Sequence, residues 1–349
     1  MTGLNNVGLG TRIDFLHLGN FKLKKVFNFC KKILSSPKPI LNYSPLTYYI
    51  DISTVCNLRC PHCFQSDYNS AIHIERKFMK YEQFMKILVK IKDSALMLHL
   101  YTWGESLLNP DALKMVRAAY DYGIRSRISS HMSIKMSDDY IERLVDSKLH
   151  RLTCSIDGPT QGIYEKYRVG GNLGQVLSNV KRILEARKRR SKKYPLMVYR
   201  MLVFDWNHEY VEQAKKLADE IGFDAFQVHP GQHNIDGEEV TWNIEYKKWE
   251  GAPGRRSELN LFGASSEDIP KAETPCHWLF NNMVITANGK SLACCTIPEL
   301  SAVEELSLAE HSLHEVWNSE GYARSREYTL GLSQDRSKVM PHCEKCSRL

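Results

Sequence analysis

The sequence contains no apolar run approaching the ~18 residues that cross a bilayer. Its opening stretch, Met1–Arg12, has no apolar core of the signal-peptide kind. The reading is therefore of a cytoplasmic protein. No repeat recurs on the roughly 20–50-residue scale that marks solenoids and propellers, and no low-complexity tract appears beyond two basic patches. With 349 residues, 43% of them hydrophobic and 25% charged, the composition excludes global disorder. It allows one large domain plus a small one.

A charge excess of one sign is also missing from most of the chain. The net charge is +7. Residues 22–38, however, hold Lys22, Lys24, Lys25, Lys31, Lys32 and Lys38 with no acid, and residues 181–193 hold a run of bases against Glu185 alone. Everything else is net acidic, which excludes a uniformly basic nucleic-acid binder. What the sequence does have is ten cysteines. In a reducing compartment these point to metal or catalysis rather than to disulfides.

Residues 1–45 read as a basic leader. Leu23, Val26, Phe27, Cys30, Ile33 and Leu34 recur at helical spacing with lysines between them. Such a helix either packs on the main domain or touches an anionic membrane or lipid-linked substrate. From 47 to 229 strand-like runs (Thr47–Ser53, Leu96–Trp103, Arg125–Ser130, Arg151–Ile156, Leu196–Phe204, Ala225–His229) alternate with helical patterns (Lys80–Asp93, Asp111–Tyr122, Ser137–Ser147, Gly174–Arg190, Asn207–Ile221). Six βα-type repeats imply an α/β fold with a parallel sheet, whose ligands bind at the carboxyl ends of the strands. Residues 231–275 lose this rhythm and read as a long connection. From Cys276 a cysteine-rich unit begins, with a hairpin around Asn288-Gly289 and a helix over Leu313–Tyr328.

Directly after the first strand lie Cys56, Cys60 and Cys63, spaced C-x3-C-x2-C. Three thiolates on one loop can hold three irons of a [4Fe–4S] cluster and leave the fourth open to a ligand. A structural zinc site would need a fourth closing ligand, and His62, between two of the cysteines, reaches the same metal only awkwardly. The motif and its place resemble the radical S-adenosylmethionine (SAM) superfamily. That resemblance implies a partial (β/α)6 TIM-like barrel over 46–230. It also implies SAM chelated at the open iron, reductive cleavage to a 5′-deoxyadenosyl radical, a flavodoxin- or ferredoxin-type electron donor, and hydrogen abstraction from substrate.

Trp103-Gly104-Glu105-Ser106, closing the second strand, resembles the family's GGEP segment, which contacts the SAM amino group. Trp103 and Ser106 depart from that pattern. Ser129 and Ser130, closing the third strand, fall where the family contacts the SAM ribose or carboxylate. Ser155-Ile156-Asp157-Gly158 followed by Tyr164–Arg168 resembles a stretch in which the arginine, here Arg168, approaches the SAM carboxylate. The other reading of Arg168 is a surface residue at a helix end. Alternation along Leu152–Asp157 turns Asp157 toward the barrel mouth and Cys154 toward the helices. On the last strand Gln227 and His229 point inward. His229 is either a general base or a hydrogen-bonded structural histidine.

Cys276, Cys294, Cys295, Cys343 and Cys346 form a second group. In isolation these residues could close a four-cysteine zinc ribbon. After a radical SAM core, and with the helix segment His314–Glu320, they resemble the SPASM or twitch extension, a small cysteine-rich α+β domain over 276–349. There are fewer of them than two auxiliary clusters use, so one auxiliary [4Fe–4S] cluster is expected, on Cys276, Cys294, Cys343 and Cys346. Adjacent strand residues face opposite ways, so Cys294 and Cys295 do not both ligate it, and which one does stays open. The expected reaction is oxidation of a small molecule (a sugar, aminocyclitol or glycan-related compound, phosphorylated or lipid-linked if the basic patches take part), with the auxiliary cluster as electron acceptor. An epimerase returning hydrogen from Cys295, a ribosomal-peptide-modifying enzyme and a non-enzymatic iron–sulfur or zinc protein are the alternatives. Residues 1–45 are shorter than the leader-binding module of many peptide-modifying members, which lowers the peptide reading.

Overall fold

A computed structural model of the chain describes residues 23–61, 63, 65, 75–204, 206–230, 234–235, 238–239, 276–294, 306–335, 339–340 and 343. His62, Cys295, Cys346 and most of the expected connection 231–275 lie outside them. Strands β1 (Thr47–Ile50), β2 (Met97–His99), β3 (Arg125–Ser130), β4 (Arg151–Ser155), β5 (Leu196–Val203) and β6 (Ala225–Pro230) pair in chain order, all parallel. The helices between them are α2 (Tyr81–Ile91), α3 (Ala112–Asp121), α4 (Asp138–Asp146), α5 (Gln161–Tyr167), α6 (Leu173–Arg189) and α7 (Val211–Ile221). A two-residue ladder, β7 (Asn234–Ile235) with β8 (Glu238–Glu239), follows. The fold is mostly parallel α/β, as the alternating pattern implies.

Alternation explains the two faces of the sheet. Tyr48, Leu98, Ile128, Leu152, Cys154, Tyr199 and Met201 pack with the helices in one core. Their neighbours Tyr49, His99, Arg127, Ser129, Ser155, Arg200, Gln227 and His229 therefore line the opposite, inner face. Burial of Cys154 among aliphatic groups pushes its thiol pKa up, as suits a structural residue.

The C-terminal segment does not stand apart from this sheet. Helix α8 (His277–Asn281) leads into β9 (Asn282–Ile285), which pairs in parallel with β1, and β10 (Ser291–Leu292) adds antiparallel to β9. The sheet order is thus β10-β9-β1-β2-β3-β4-β5-β6. Gly289, at φ 83°, supplies the left-handed turn residue of the hairpin. The helix expected over Leu313–Tyr328 is two helices, α9 (Leu313–Trp317) and α10 (Glu320–Thr329). The break falls at Asn318, whose side chain exchanges two hydrogen bonds with the backbone of Leu41 (2.8 and 3.0 Å).

The leader helix α1 (Leu23–Leu34) forms where the periodicity places it, but with an unexpected face inward. Its buried residue is Lys25, whose Nζ donates to the carbonyls of Tyr122 (3.0 Å) and Gly123 (2.9 Å). Carbonyls at a helix C-terminus lack intrahelical donors and carry partial negative charge, so the end of α3 takes the cation. Leu23, Phe27 and Leu34 are 86%, 63% and 84% exposed.

Candidate active site

The loop after β1 is tied down on several sides. Asn57 Nδ2 donates to the Ser133 carbonyl (2.9 Å), Arg59 N to Val169 O (3.0 Å), Arg76 Nη2 to Cys56 O (2.9 Å), and Cys63 N to Cys60 O (3.2 Å). Cys60 is buried and Cys56 and Cys63 are half-buried. A cavity of about 310 Å³ opens beside Cys56, lined also by Asn57, Leu58, Arg59, Gln65 and Arg76. Burial pushes the Cys56 thiol up to about 12, with Glu105 and the other two cysteines adding to the rise. Cationic iron would reverse that balance by stabilising thiolates. Among the described residues no three His, Cys, Asp or Glu side chains are gathered tightly enough for a single metal ion. Three thiolates of a cubane cluster bind three different irons and stand further apart, so loop, cavity and donor set fit such a cluster.

Glu105 is buried at the end of the β2 loop. Its Oε1 accepts from Leu107 N (3.0 Å) and its Oε2 from His131 N (3.0 Å), with His131 Nε2 3.3 Å away. Burial lowers the His131 pKa, so that contact is not an ion pair at neutral pH. One carboxylate thus joins the ends of β2 and β3. The preceding Gly104 lies against the backbone of Ser53, and its neighbour Glu105 donates N–H to Val55 O (2.8 Å). Trp103 packs on Tyr49, Val284 and Leu292, with Trp278 nearby.

Two expected cofactor contacts are already engaged elsewhere. Ser106 Oγ donates to Leu100 O (2.6 Å), which braces the loop. Ser130 lies on the helix-facing side of β3, and its hydroxyl accepts from Met132 N (2.9 Å). Ser129 alone of the pair faces inward.

Arg168 is not a surface residue. Its Nε donates to Asp157 Oδ2 (2.5 Å), and its Nη1 lies 3.8 Å from Cys60 Sγ. Burial opposes its charge, but Asp157 and Cys60 more than restore it and its pKa is raised. Asp157 is fully buried, and its other oxygen accepts from Leu202 N (2.7 Å). Strand alternation turns Asp157 toward the barrel mouth. In the structure its two oxygens hold Arg168 and β5. His229 sits at the end of β6, where burial and then Arg200 lower its pKa to about 4.

Sequence reasoning missed three residues. Asp51 follows β1 on the inner face. It is fully buried, and burial pushes it up to about 8 against the backbone N–H groups of Trp103 and Ser53, which act to lower it. Arg200 stands on the inner face of β5. Arg326, on α10, donates to the carbonyls of Leu279, Pro39 and Trp317 and knits the C-terminal segment together. Cys276 starts α8, Cys294 follows β10, and Cys343 is buried in the main core, on which Cys276 also packs.

Residues 50–218 match the radical SAM superfamily, and residues 276–347 match the SPASM iron–sulfur cluster-binding domain. The chain belongs to the radical SAM superfamily. It is a radical SAM enzyme with a C-terminal SPASM domain, and the two domains imply SAM and two [4Fe–4S] clusters as cofactors. The "Tungsten-containing aldehyde ferredoxin oxidoreductase cofactor-modifying protein" of Pyrococcus furiosus is 24% identical over 331 residues, 86% of each chain. A probable GTP 3′,8-cyclase of Methanococcus maripaludis is 25% identical over 139 residues, 40% of this chain and 45% of the cyclase, so less than half of that relative is spanned. Streptococcus suis SuiB bound to S-adenosylmethionine superposes with a TM-score of 0.63 at 18% identity, covering 89% of this radical SAM chain and 72% of SuiB. AdoMet-bound anSMEcpe gives 0.56 at 17%, covering 87% and 88%. At these identities the solved structures establish the fold alone. No helix among the described residues is long and apolar enough to cross a membrane.

Proposed function

We propose that this radical SAM enzyme takes a hydrogen atom from a carbinol carbon of a small molecule, a sugar, aminocyclitol or related compound, and completes a two-electron oxidation. When bound, the clusters supply the electron that cleaves SAM and accept the one the substrate releases. Cys56, Cys60 and Cys63 would hold the SAM-binding cluster, and Cys276, Cys294, Cys343 and Cys346 the auxiliary one. Glu105 would receive the SAM amino group and Arg168 its carboxylate, while Asp157 keeps the guanidinium in place. Ser129 and Gln227 would face the substrate. His229, neutral at the end of β6, would take the proton that oxidation of an alcohol releases, as a base weakened by burial and by Arg200. The observation that carries the reading is the placement of Arg168, braced by Asp157 and aimed at Cys60 of the three-cysteine loop.

The relatives named for modifying a cofactor and for cyclising GTP support a small-molecule target. A peptide substrate is the rival, since SuiB has been captured with its precursor peptide SuiA. The outward Leu23, Phe27 and Leu34, flanked by lysines, suit contact with an anionic surface. Anaerobic reconstitution should give about eight irons per chain and 5′-deoxyadenosine with SAM and reductant. Replacing Cys56, Cys60 and Cys63 by Ala should abolish that product. Replacing Cys276 and Cys343 should leave SAM cleavage but stop substrate turnover. Transfer of deuterium into 5′-deoxyadenosine from a peptide, and from no carbinol compound, would overturn the small-molecule reading.

A further inference from the structure

Among the described residues, one charge on the inner face of the sheet has no ion-pair partner. Arg200 lies mid-strand in β5, beside Ser155 of β4 and Gln227 of β6 in register. Both of its hydrogen bonds leave from Nη2, to Ser129 Oγ (2.8 Å) and Ser155 Oγ (2.7 Å). Its Nε is sealed from water without a partner. Three guanidinium ions on other elements show what a satisfied one looks like. Arg168 has Asp157, Arg187 has Asp224, and Arg326 spends Nε, Nη1 and Nη2 on carbonyl oxygens. Arg200 has two neutral hydroxyls.

A half-buried cation held by neutral hydroxyls alone is worse off than one in an ion pair. Asp157 acts on Arg200 only from a distance, since its oxygens are bonded to Arg168 and Leu202. Arg127 and Arg151 project from the same face at lower levels, in register with His99, and add positive potential. That field reaches the imidazoles: Arg127 and Arg151 act with burial on His99, and Arg200 on His229. Each histidine is held neutral.

We propose that Arg200 is the substrate anchor, binding an anionic group (a carboxylate or phosphate) on the inner face of the sheet. This deepens the proposed function and rests on its reading of that face as the substrate chamber. A guanidinium with an unspent N–H suits such an oxyanion, which accepts charge-assisted bonds that neutral serines cannot match. It follows that substrates lacking the anion should bind poorly even where the reacting carbinol is intact.

The test uses reconstituted, SAM-loaded protein at low ionic strength, titrated calorimetrically with pyrophosphate and separately with malonate. The wild type should bind at least one, and the tighter of the two assigns phosphate or carboxylate. R200Q should lose roughly tenfold or more in affinity, which is about 1.4 kcal/mol. R200K keeps the charge without the fork and should fall between; it serves if R200Q does not fold. Removal of the surface bases in R189Q/R190Q should leave binding unchanged. The proposal is overturned if neither anion binds, if R200Q or R200K binds as the wild type does, or if the surface variant is the one that loses binding. A weakened SAM affinity in R200Q would assign the guanidinium to the cofactor and also overturn it. Loss of SAM cleavage in every variant including the wild type would instead refute the functional reading beneath it.

Discussion

Gly104 makes the sharpest prediction. A Cβ built there would lie 2.1 Å from Ser53 O, 2.7 Å from Ser53 C and 2.9 Å from Thr54 C, more than an ångström inside ordinary contact with the oxygen. The obstacle is backbone, so no rotamer change relieves it. Nor is the Ser53–Thr54 segment free to retreat. Ser53 is bridged to Phe78, Thr54 N donates to Lys77 O (3.0 Å), and Thr54 Oγ1 donates to Glu75 O (2.6 Å). The Gly104–Glu105 segment must yield instead, drawing Glu105 away from Val55 O and from His131 N. Overpacking of this kind costs about 1–3 kcal/mol, which a cooperative fold survives. A displacement of about 1 Å at the proposed SAM contact is worth about 10²-fold in rate. G104A should therefore keep its iron content, since no ligand is touched. It should form 5′-deoxyadenosine from SAM and dithionite about a hundredfold more slowly, with weaker SAM binding. Gly162, in α5, meets no atom within 4 Å, so G162A is the control and should be neutral or slightly stabilising. A G104A protein that cleaves SAM within threefold of wild type would refute the claim that this close approach positions Glu105.

Asp157→Asn leaves Arg168 charged, buried and without its partner; unfolding should become easier by about 3–5 kcal/mol, read by urea titration, and SAM affinity should fall with it. Arg326→Met strips donors from two buried carbonyls and one part-buried one and should cost about 3 kcal/mol, while Arg324→Gln on the same helix should be nearly neutral. His229, with its pKa lowered to about 4, is neutral when folded, whereas the unfolded imidazole protonates near its ordinary 6.5. The folded state therefore loses stability as pH falls from about 6.5 toward 4, by up to about 3 kcal/mol. His229→Gln should flatten that limb, and an unchanged acid limb would count against the buried neutral imidazole. Phe27→Glu should reduce co-sedimentation with phosphatidylglycerol vesicles, and equal pelleting of both proteins would remove the surface-contact reading.

Much of this arrangement could be read from the chain because parallel strands buried under helices write themselves as short apolar runs. The residues at their carboxyl ends are then the ones near a ligand. Glu105 stands beyond such an end, whereas Arg168, at the end of α5, is reached through the family resemblance alone. What escaped depended on partners distant in sequence. Helix α5 is a single short segment that buries only Tyr164, too few residues for a period to register. The inward turn of Lys25 depends on the carbonyl ends of α3, some hundred residues on. The split between α9 and α10 depends on Asn318 meeting Leu41. Ser129 and Ser130 differ by one step of the strand, and that step decides which hydroxyl faces the chamber. Arg200 was the most legible omission. An arginine between Tyr199 and Met201 in an otherwise apolar strand is anomalous for a sheet covered on its outer face, and it marks the inner face as polar.

The pairing of β9 with β1 changes how the two cysteine groups are to be thought of. Cys56 follows β1 by a short loop, and Cys294 follows β10, which is laddered to β9. Asp51 N donates to Ile285 O (2.8 Å), extending the ladder past the last residue of β1. Cys56 and Cys294 therefore hang from one hydrogen-bonded sheet. Arg326 fastens the same segment to α8, to Trp317 and to Pro39 of the leader. Electron transfer between two clusters depends steeply on their separation, and a shared sheet fixes that separation without cost at each turnover. A substitution that loosens the ladder, such as Ile285→Pro, should leave SAM cleavage largely intact while uncoupling it from the proposed turnover of substrate. Equal loss of both activities would mean that β9 serves the stability of β1 alone.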